Sequence, residues 1–234
     1  IESFCKDGFC ESNSEKSHTN TTLSSKEILF KLVLKNKLIW TLAISYFFVY
    51  VIRTAMNDWI QLFLMEEKGF TLMVAGSCIF WFEVGGIFGS LSAGWLSDTV
   101  FNGRRGPVNV LFSVGILAAL LTLWFVPSSS LVLISIFMFS IGFLVFGPQM
   151  LIGMAAAEIT EKEAAGTATG FTGLFAYSGA AAAGWPVGKI TQDFGWSGFF
   201  IILSICALIT VAFLLPLMSN SASIREKEKK LVAT

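Results

Sequence analysis

A stretch of 52 residues without a single charged side chain, from Gly106 to Ala157, constrains this chain more than any other feature. The hydrocarbon core of a bilayer is about 30 Å thick, and about 20 apolar residues of α-helix cross it. The stretch is long enough for two crossings, and Pro127 with the three serines after it forms a polar turn between them. The pattern predicts a membrane protein and argues against a soluble domain.

Further apolar runs complete a set of membrane spans. Residues 164–188 and 194–224 are charge-free, and residues 38–64 and 72–96 are interrupted only by isolated charges. These runs are continuous blocks and lack the apolar–polar alternation of a barrel strand. The sequence therefore predicts an all-α membrane protein whose six transmembrane helices form one bundle. The predicted helices cover residues 38–64, 72–97, 108–126, 130–157, 165–187 and 197–218.

The distribution of charge predicts the termini and the orientation. Charged residues make up only 14% of the chain, against about 25% in soluble domains. The apolar bundle is predicted at residues 37–218, between a polar tail or linker at 1–36 and a second tail at 219–234. Of the 16 lysines and arginines, 13 fall on the side of both termini, 2 on the other side and 1, Arg53, inside the membrane. Basic loops remain in the cytoplasm, so both termini are predicted to be cytoplasmic.

Motifs of soluble chemistry are absent from the sequence. The net charge of zero gives no reason to expect nucleic-acid binding. The single histidine, His18, lies in the first tail, so the sequence offers neither a nucleophile–histidine pair nor paired metal ligands. Residues 184–189 imitate a phosphate-binding loop but are one residue short and lack its Ser or Thr. We therefore predict no enzyme, no metal and no cofactor.

Two charges lie deep in predicted spans, where each costs at least about 2.5–3.5 kcal/mol. Arg53 is about 16 Å from the outer end of the first span and Glu83 about 18 Å from that of the second. They could form a structural ion pair. Alternatively, the planar fork of Arg53 binds an anion such as phosphate, and Glu83 is the counter-charge when the site is empty. The sequence favours the second interpretation, since the other spans carry no charge that would bind a cation.

Polar companions surround these charges. Tyr46, Tyr50 and Asn57 recur with Arg53 at helical spacing, so one stripe of the first span is polar. Gln149 follows Pro148 in the middle of the fourth span. Tyr177 lies among threonines, glycines and alanines in the fifth, where polar groups can line a sugar path or bond across helices. The candidate substrate-binding residues are Arg53, Tyr50, Asn57, Tyr46, Gln149 and Tyr177.

Several motifs carry a family resemblance. Residues 94–107 contain a G-x-L-x-D-x-x-x-x-G-R-R pattern that resembles a cytoplasmic loop of the major facilitator superfamily. Residues 45–59, 82–86, 146–154 and 162–177 closely resemble the second half of the organophosphate:phosphate antiporters, nearest the bacterial hexose-phosphate transporter and sensor branch. The loop resemblance implies a gating charge clasp in which Asp98 faces Arg104 and Arg105.

The narrower resemblance implies an architecture and an activity. The whole protein would have twelve helices in two bundles in a bacterial inner membrane and would exchange sugar phosphate for inorganic phosphate by alternating access. Arg53 matches the phosphate-gripping arginine of the second bundle, and its partner arginine would belong to an N-terminal six-helix bundle that this chain lacks. The alternative is a membrane sensor of external glucose 6-phosphate that signals to a histidine kinase. Residues 179–184 lack an acid and a lysine that some hexose-phosphate carriers hold there, which leaves sugar selectivity open and adds weight to the sensor as the alternative.

Overall fold

The structure is a computed structural model that describes residues 28–126, 130–160, 162 and 164–232. Within these residues it contains helices and no strand, which confirms the all-α prediction. Most of the predicted first tail, including Cys5, Cys10 and His18, lies outside the described residues. A π-helical segment, Ile28–Val33, precedes the long helices. These are α1 Lys37–Glu66, α2 Leu72–Thr99, α3 Arg105–Phe125, α4 Leu131–Glu158, α5 Ala165–Ala183 and α6 Trp185–Val232.

Five stretches of the described chain are long and apolar enough to cross a membrane. The first four coincide with α1 to α4, and the fifth, Ala165–Met218, contains 54 residues and runs through α5 into α6. A helix of that length would measure about 80 Å, far more than one crossing needs. Helical geometry is interrupted at Gly184, with ψ −102°, and at Gly195, with φ 68° and ψ −170°. The fifth stretch therefore has room and backbone breaks for the two crossings of the six-span interpretation.

Close backbone contact holds α2 against α4. A Cβ atom at Gly85 or Gly89 of α2 would overlap the backbone of α4, and one at Gly142 of α4 would overlap the backbone of α2. In lipid, where the hydrophobic effect does not drive helices together, such small residues let van der Waals packing do so. The pair Gly166 and Gly170 of α5 has no such contact, since added Cβ atoms there would meet nothing within 4 Å.

Helix α1 is the centre of the bundle and packs against α5 on one side. Gly179 of α5 lies directly on the backbone of Phe47, so the two helices approach closely. Toward the C-terminal end of α1, the indole N–H of Trp59 donates to the carbonyl oxygen of Ala183 at 2.9 Å. These contacts fix the rotation of α1 and so determine which of its faces stays open.

The loop between α2 and α3 is a tight turn. Asn102 and Gly103 both have positive φ, 52° and 74°, a region open to glycine and tolerated by asparagine. The Gly103 N–H donates to the carbonyl oxygen of Ser97 at 2.7 Å. The turn places Arg105 at the first position of α3, beside the end of α2.

Candidate functional site

The polar stripe of α1 lies on one face of the helix. Tyr46, Tyr50, Arg53 and Asn57 follow one another at intervals of four, three and four residues, which align on a helix. All four side chains are half-buried, whereas Val49, Ile52 and Met56 on the other face are buried in the core. The stripe therefore lies on an open side of the bundle.

The Arg53 guanidinium lies over aromatic rings. Its central carbon is 4.7 Å from the centroid of the Phe146 ring and 5.8 Å from that of Tyr50. In the described part of the chain, salt bridges join Arg105 to Asp98 and Glu158, and Lys189 to Asp193, but none joins Arg53 to Glu83. Cation–π attraction thus holds the guanidinium while its N–H donors remain uncommitted to Glu83.

Glu83 lies on α2, between two residues that contact the Phe146 ring. Its side chain is half-buried. The Phe146 ring packs against Phe82 at 5.7 Å between centroids, and a Cβ at Gly86 would overlap that ring. Phe82 and Gly86 lie on either side of Glu83 along α2. The Phe146 ring therefore contacts both the turn of α2 that carries Glu83 and the Arg53 guanidinium.

Three helices bring polar groups together beside Arg53. Gln149 of α4 donates from Nε2 to the Tyr50 hydroxyl at 3.3 Å. The rings of Tyr46 and Tyr50 meet edge to face at 4.9 Å, and Tyr177 of α5 lies 5.9 Å from Tyr50 between ring centroids. Tyr177 is 72% exposed, so this cluster continues onto the open surface. The predicted residues Tyr46, Tyr50, Arg53, Gln149 and Tyr177 thus lie together.

Asn57, the last of the four stripe residues along α1, is oriented by its neighbour. Its Nδ2 donates to Oδ1 of the exposed Asp58 at 3.0 Å. The hydrogen bond leaves the Asn57 oxygen available one helical turn from Arg53. Asn57 therefore extends the polar surface toward the C-terminal end of α1 but is not part of the tyrosine–glutamine cluster.

The predicted charge clasp contains one of its two arginines and an additional acid. Arg105 contacts Asp98 at 2.6 Å and also holds Glu158, the last residue of α4, at 3.0 Å from Nη2 to Oε1. Its Nε lies 3.4 Å from the second oxygen of Glu158, which makes that contact bidentate. Arg104 is exposed, and among the described residues it joins neither acid. The clasp ties the ends of α2 and α4 to the start of α3.

Sequence reasoning missed two of these residues. Phe146 belongs to the motif at residues 146–154 but is not among the predicted site residues, although it precedes Gln149 by three residues and so shares its helix face. Glu158 is the first charge after the 52-residue uncharged run, and that position was the signal available for it.

Comparison with known proteins identifies the same superfamily that the loop motif at residues 94–107 resembles. Residues 11–184 match the family model described as Major Facilitator Superfamily. A probable hexose phosphate transport protein of Chlamydia muridarum is 54% identical over 200 residues, which are 85% of this chain and 44% of the relative. The membrane sensor protein UhpC of Escherichia coli is 52% identical over 204 residues, 87% of this chain and 46% of that protein.

A third relative is more distant. The hexose-6-phosphate:phosphate antiporter of Escherichia coli is 36% identical over 229 residues, 93% of this chain and 48% of the antiporter. The chain therefore spans slightly less than half the length of the curated relatives that it matches.

Proposed function

The chain belongs to the major facilitator superfamily, and on that basis we propose that it is the phosphate-binding half of an antiporter that exchanges hexose phosphate for inorganic phosphate. Glucose 6-phosphate is the hexose phosphate that we propose. The observation that carries this proposal is the position of Arg53, a membrane-embedded guanidinium on the open polar face of α1 with no salt bridge to Glu83. A planar fork of this kind binds phosphate oxygens in pairs.

The aromatic and amide groups beside Arg53 support a sugar phosphate as the larger ligand. Hydroxyls of Tyr46, Tyr50 and Tyr177 and the amide of Gln149 are neutral donors and acceptors, suited to sugar hydroxyls. The relatives named for hexose phosphate transport and for hexose-6-phosphate:phosphate antiport give the substrate class. Asn57, one turn outward, continues the polar surface toward the outer end of α1.

The partner that we propose for this face is a second, N-terminal six-helix bundle of the same protein. The half-exposed stripe and the exposed Tyr177 would then line a path between two bundles, and rocking of the bundles would expose the site to each side in turn. We further propose that the protein lies in a bacterial inner membrane with both termini of this chain cytoplasmic. In that orientation, the clasp of Asp98 and Arg105 lies on the cytoplasmic side, where opening and closing of the path would strain it, and the exposed Arg104 lies beside it.

Glu83 remains in this proposal as a counter-charge that acts without direct contact. A carboxylate on the neighbouring helix lowers the positive potential at Arg53, and the attraction persists over several ångströms where water is scarce. Since the guanidinium is not bonded to Glu83, an arriving phosphate has no salt bridge to displace there.

A second candidate function is a receptor that binds external glucose 6-phosphate and signals to a histidine kinase without exchange. The observation that favours it is the 52% identity to a membrane sensor protein, nearly equal to the identity with the transport protein. The two candidates share the binding site and differ in whether the ligand crosses the membrane.

The deciding experiment is counterflow in liposomes that contain the full-length protein. Vesicles loaded with inorganic phosphate are expected to take up labelled glucose 6-phosphate, and vesicles without internal phosphate are expected not to. Binding of glucose 6-phosphate without uptake would contradict the antiporter and support the receptor.

Arg53→Lys tests the phosphate site within the same assay. Uptake and phosphate binding are expected to fall by at least about tenfold, because a point charge on a flexible stem does not reproduce the bidentate fork. Lys189→Arg, a charge-conserving change of an exposed side chain, is the control and is expected to leave both unchanged. Unchanged phosphate affinity in Arg53→Lys would remove Arg53 from the site.

A further inference from the structure

The side-chain amide of Gln149, which lies near Arg53, has one hydrogen-bonding atom without a partner. Its Nε2 donates to the Tyr50 hydroxyl, but its Oε1 is buried and has no hydrogen-bond partner. A buried acceptor without a partner is costly, and native structures contain few of them. Gln149 is therefore a group whose hydrogen-bonding capacity the surrounding protein groups do not satisfy.

The position of this amide relative to Arg53 restricts what can fill it. Gln149 is bonded to Tyr50, and the Tyr50 ring is 5.8 Å from the Arg53 guanidinium. A ligand whose phosphate binds Arg53 thus brings the adjoining part of its structure toward Gln149. An amide oxygen accepts hydrogen bonds and is repelled by the unprotonated oxygens of a bound phosphate, so it requires a donor, which a sugar hydroxyl supplies.

The side chain can be reoriented toward such a donor. Gln149 is half-buried as a whole, although its oxygen is enclosed. Exchange of the two amide ends would move the unpaired group to nitrogen and leave one end still without a partner. Rotation about the side-chain torsions would present both ends to a hydroxyl, which can donate and accept at once.

From these observations we infer that Gln149 is the residue that reads a hydroxyl of the organic part of the ligand and so distinguishes hexose phosphate from inorganic phosphate. This inference rests on the proposed function and assigns to Gln149 a selectivity that Arg53 does not supply. Arg53 binds the group that the two ligands share. Gln149 interacts only with the group in which they differ.

Gln149→Leu removes the amide at nearly constant volume, and its effect is measured as the ratio of two dissociation constants. In the full-length protein, glucose 6-phosphate is expected to bind at least about tenfold more weakly, because a site built for a hydroxyl discriminates strongly once that bond is lost. Inorganic phosphate is expected to bind within about twofold of the wild type. Asn109→Leu is the matched control, since Asn109 is also a buried amide without partners but lies on α3, which carries no residue of the polar stripe.

Monodeoxy analogues of glucose 6-phosphate identify the bond itself. In the wild type, removal of one particular hydroxyl is expected to weaken binding by about tenfold. In Gln149→Leu, removal of that same hydroxyl is expected to have no further effect. A merely structural role for Gln149 would weaken every analogue and inorganic phosphate by the same factor.

The outcomes separate this inference from the function on which it rests. A wild-type protein that binds phosphate but no glucose 6-phosphate would overturn both. A wild-type protein that binds both ligands, together with a Gln149→Leu variant whose ratio and deoxy profile are unchanged, would overturn the role of Gln149 alone. Equal weakening of both ligands would likewise assign Gln149 to support of Tyr50 and reject the inference.

Discussion

Phe146 has neither charge nor hydroxyl, yet its ring is the surface on which the Arg53 guanidinium rests, at 4.7 Å from the centroid. The contact is with the face of the ring's π-system, where its quadrupole is negative, so it offsets part of the charge without occupying the N–H donors. A carboxylate at the same place would compete with the phosphate. An aromatic ring therefore positions the arginine of the proposed phosphate site and leaves its N–H donors available.

Phe146→Leu is expected to weaken phosphate binding by about 2- to 30-fold, the equivalent of a cation–π contact of about 0.5–2 kcal/mol. Phe146→Trp, which keeps an aromatic face, is expected to restore most of the affinity. Phe143→Leu is the control, because Phe143 lies on the same helix and stacks on Phe112 at 5.6 Å, with no cation–π contact to Arg53. Combination with Arg53→Lys shows whether the effect acts through the guanidinium. If the affinity losses of the two single variants add fully in the double variant, Phe146 does not act through Arg53, and its positioning role is contradicted.

At this scale the sequence indicated which candidate residues lie together better than it indicated the contacts that they make. Depth along a helix follows from residue number, so Arg53 and Glu83 could be placed at similar levels. The direction in which each side chain points depends on the rotation of its helix about its own axis. Helix contacts set this rotation, such as the contact of Gly179 with the backbone of Phe47. The rotation brings Arg53 onto Phe146, a partner that no charge pattern could indicate.

Among the helices, α2 and α4 form the closest-packed pair around the site. Their three interface glycines face backbone atoms directly, so no side chain there can yield to make room. Both helices also carry site residues, Glu83 and Gln149, and both end at the Arg105 clasp through Asp98 and Glu158. The interface thus connects the clasp, through direct backbone contacts, with the turns of α2 and α4 that carry Glu83 and Gln149.

Gly85→Ala is expected to destabilise the protein by about 1–3 kcal/mol, the usual cost of inserting a methyl group into a packed interface. Gly76→Ala on the same helix is the matched control, because a Cβ there meets nothing within 4 Å. Alanine also favours helix over glycine by about 1 kcal/mol, so the control is expected to be neutral or stabilising. Thermal unfolding of the detergent-solubilised full-length protein, followed by tryptophan fluorescence, measures both. Equal midpoints for the two variants would contradict the close α2–α4 contact.

The helix positions were predictable because long uncharged runs and their polar interruptions are one-dimensional signals. The predicted 72–97 and 130–157 compare with Leu72–Thr99 and Leu131–Glu158 in the structure. The participation of a third residue, Glu158, in the Arg105 clasp was not predictable in this way. Glu158 is 53 residues from Arg105 in the chain, and only the pairing of α4 with α2 and α3 brings the two together.

The molecule as a whole carries its polar cluster on an open side. Tyr177, 72% exposed, and Leu174, 65% exposed, lie on α5, where a Cβ added at the neighbouring Gly173 would meet nothing within 4 Å. If lipid covered this side, the exposed Tyr177 hydroxyl and the polar stripe of α1 would lack hydrogen-bond partners. The second bundle that we propose would cover this side and leave a water-filled path between the two bundles.

The sidedness of this arrangement can be tested directly by cysteine labelling of the full-length protein after the native cysteines are replaced. Glu67, in the turn after α1, and Val100, at the end of α2, are both exposed and lie at opposite ends of α2. The excess of basic residues on the Val100 side predicts that this end is cytoplasmic. A membrane-impermeant maleimide is therefore expected to label Glu67→Cys in intact cells and Val100→Cys only after permeabilisation. Both variants should react equally in permeabilised cells, and labelling of Val100→Cys in intact cells would reverse the orientation and place the Arg105 clasp on the outer side.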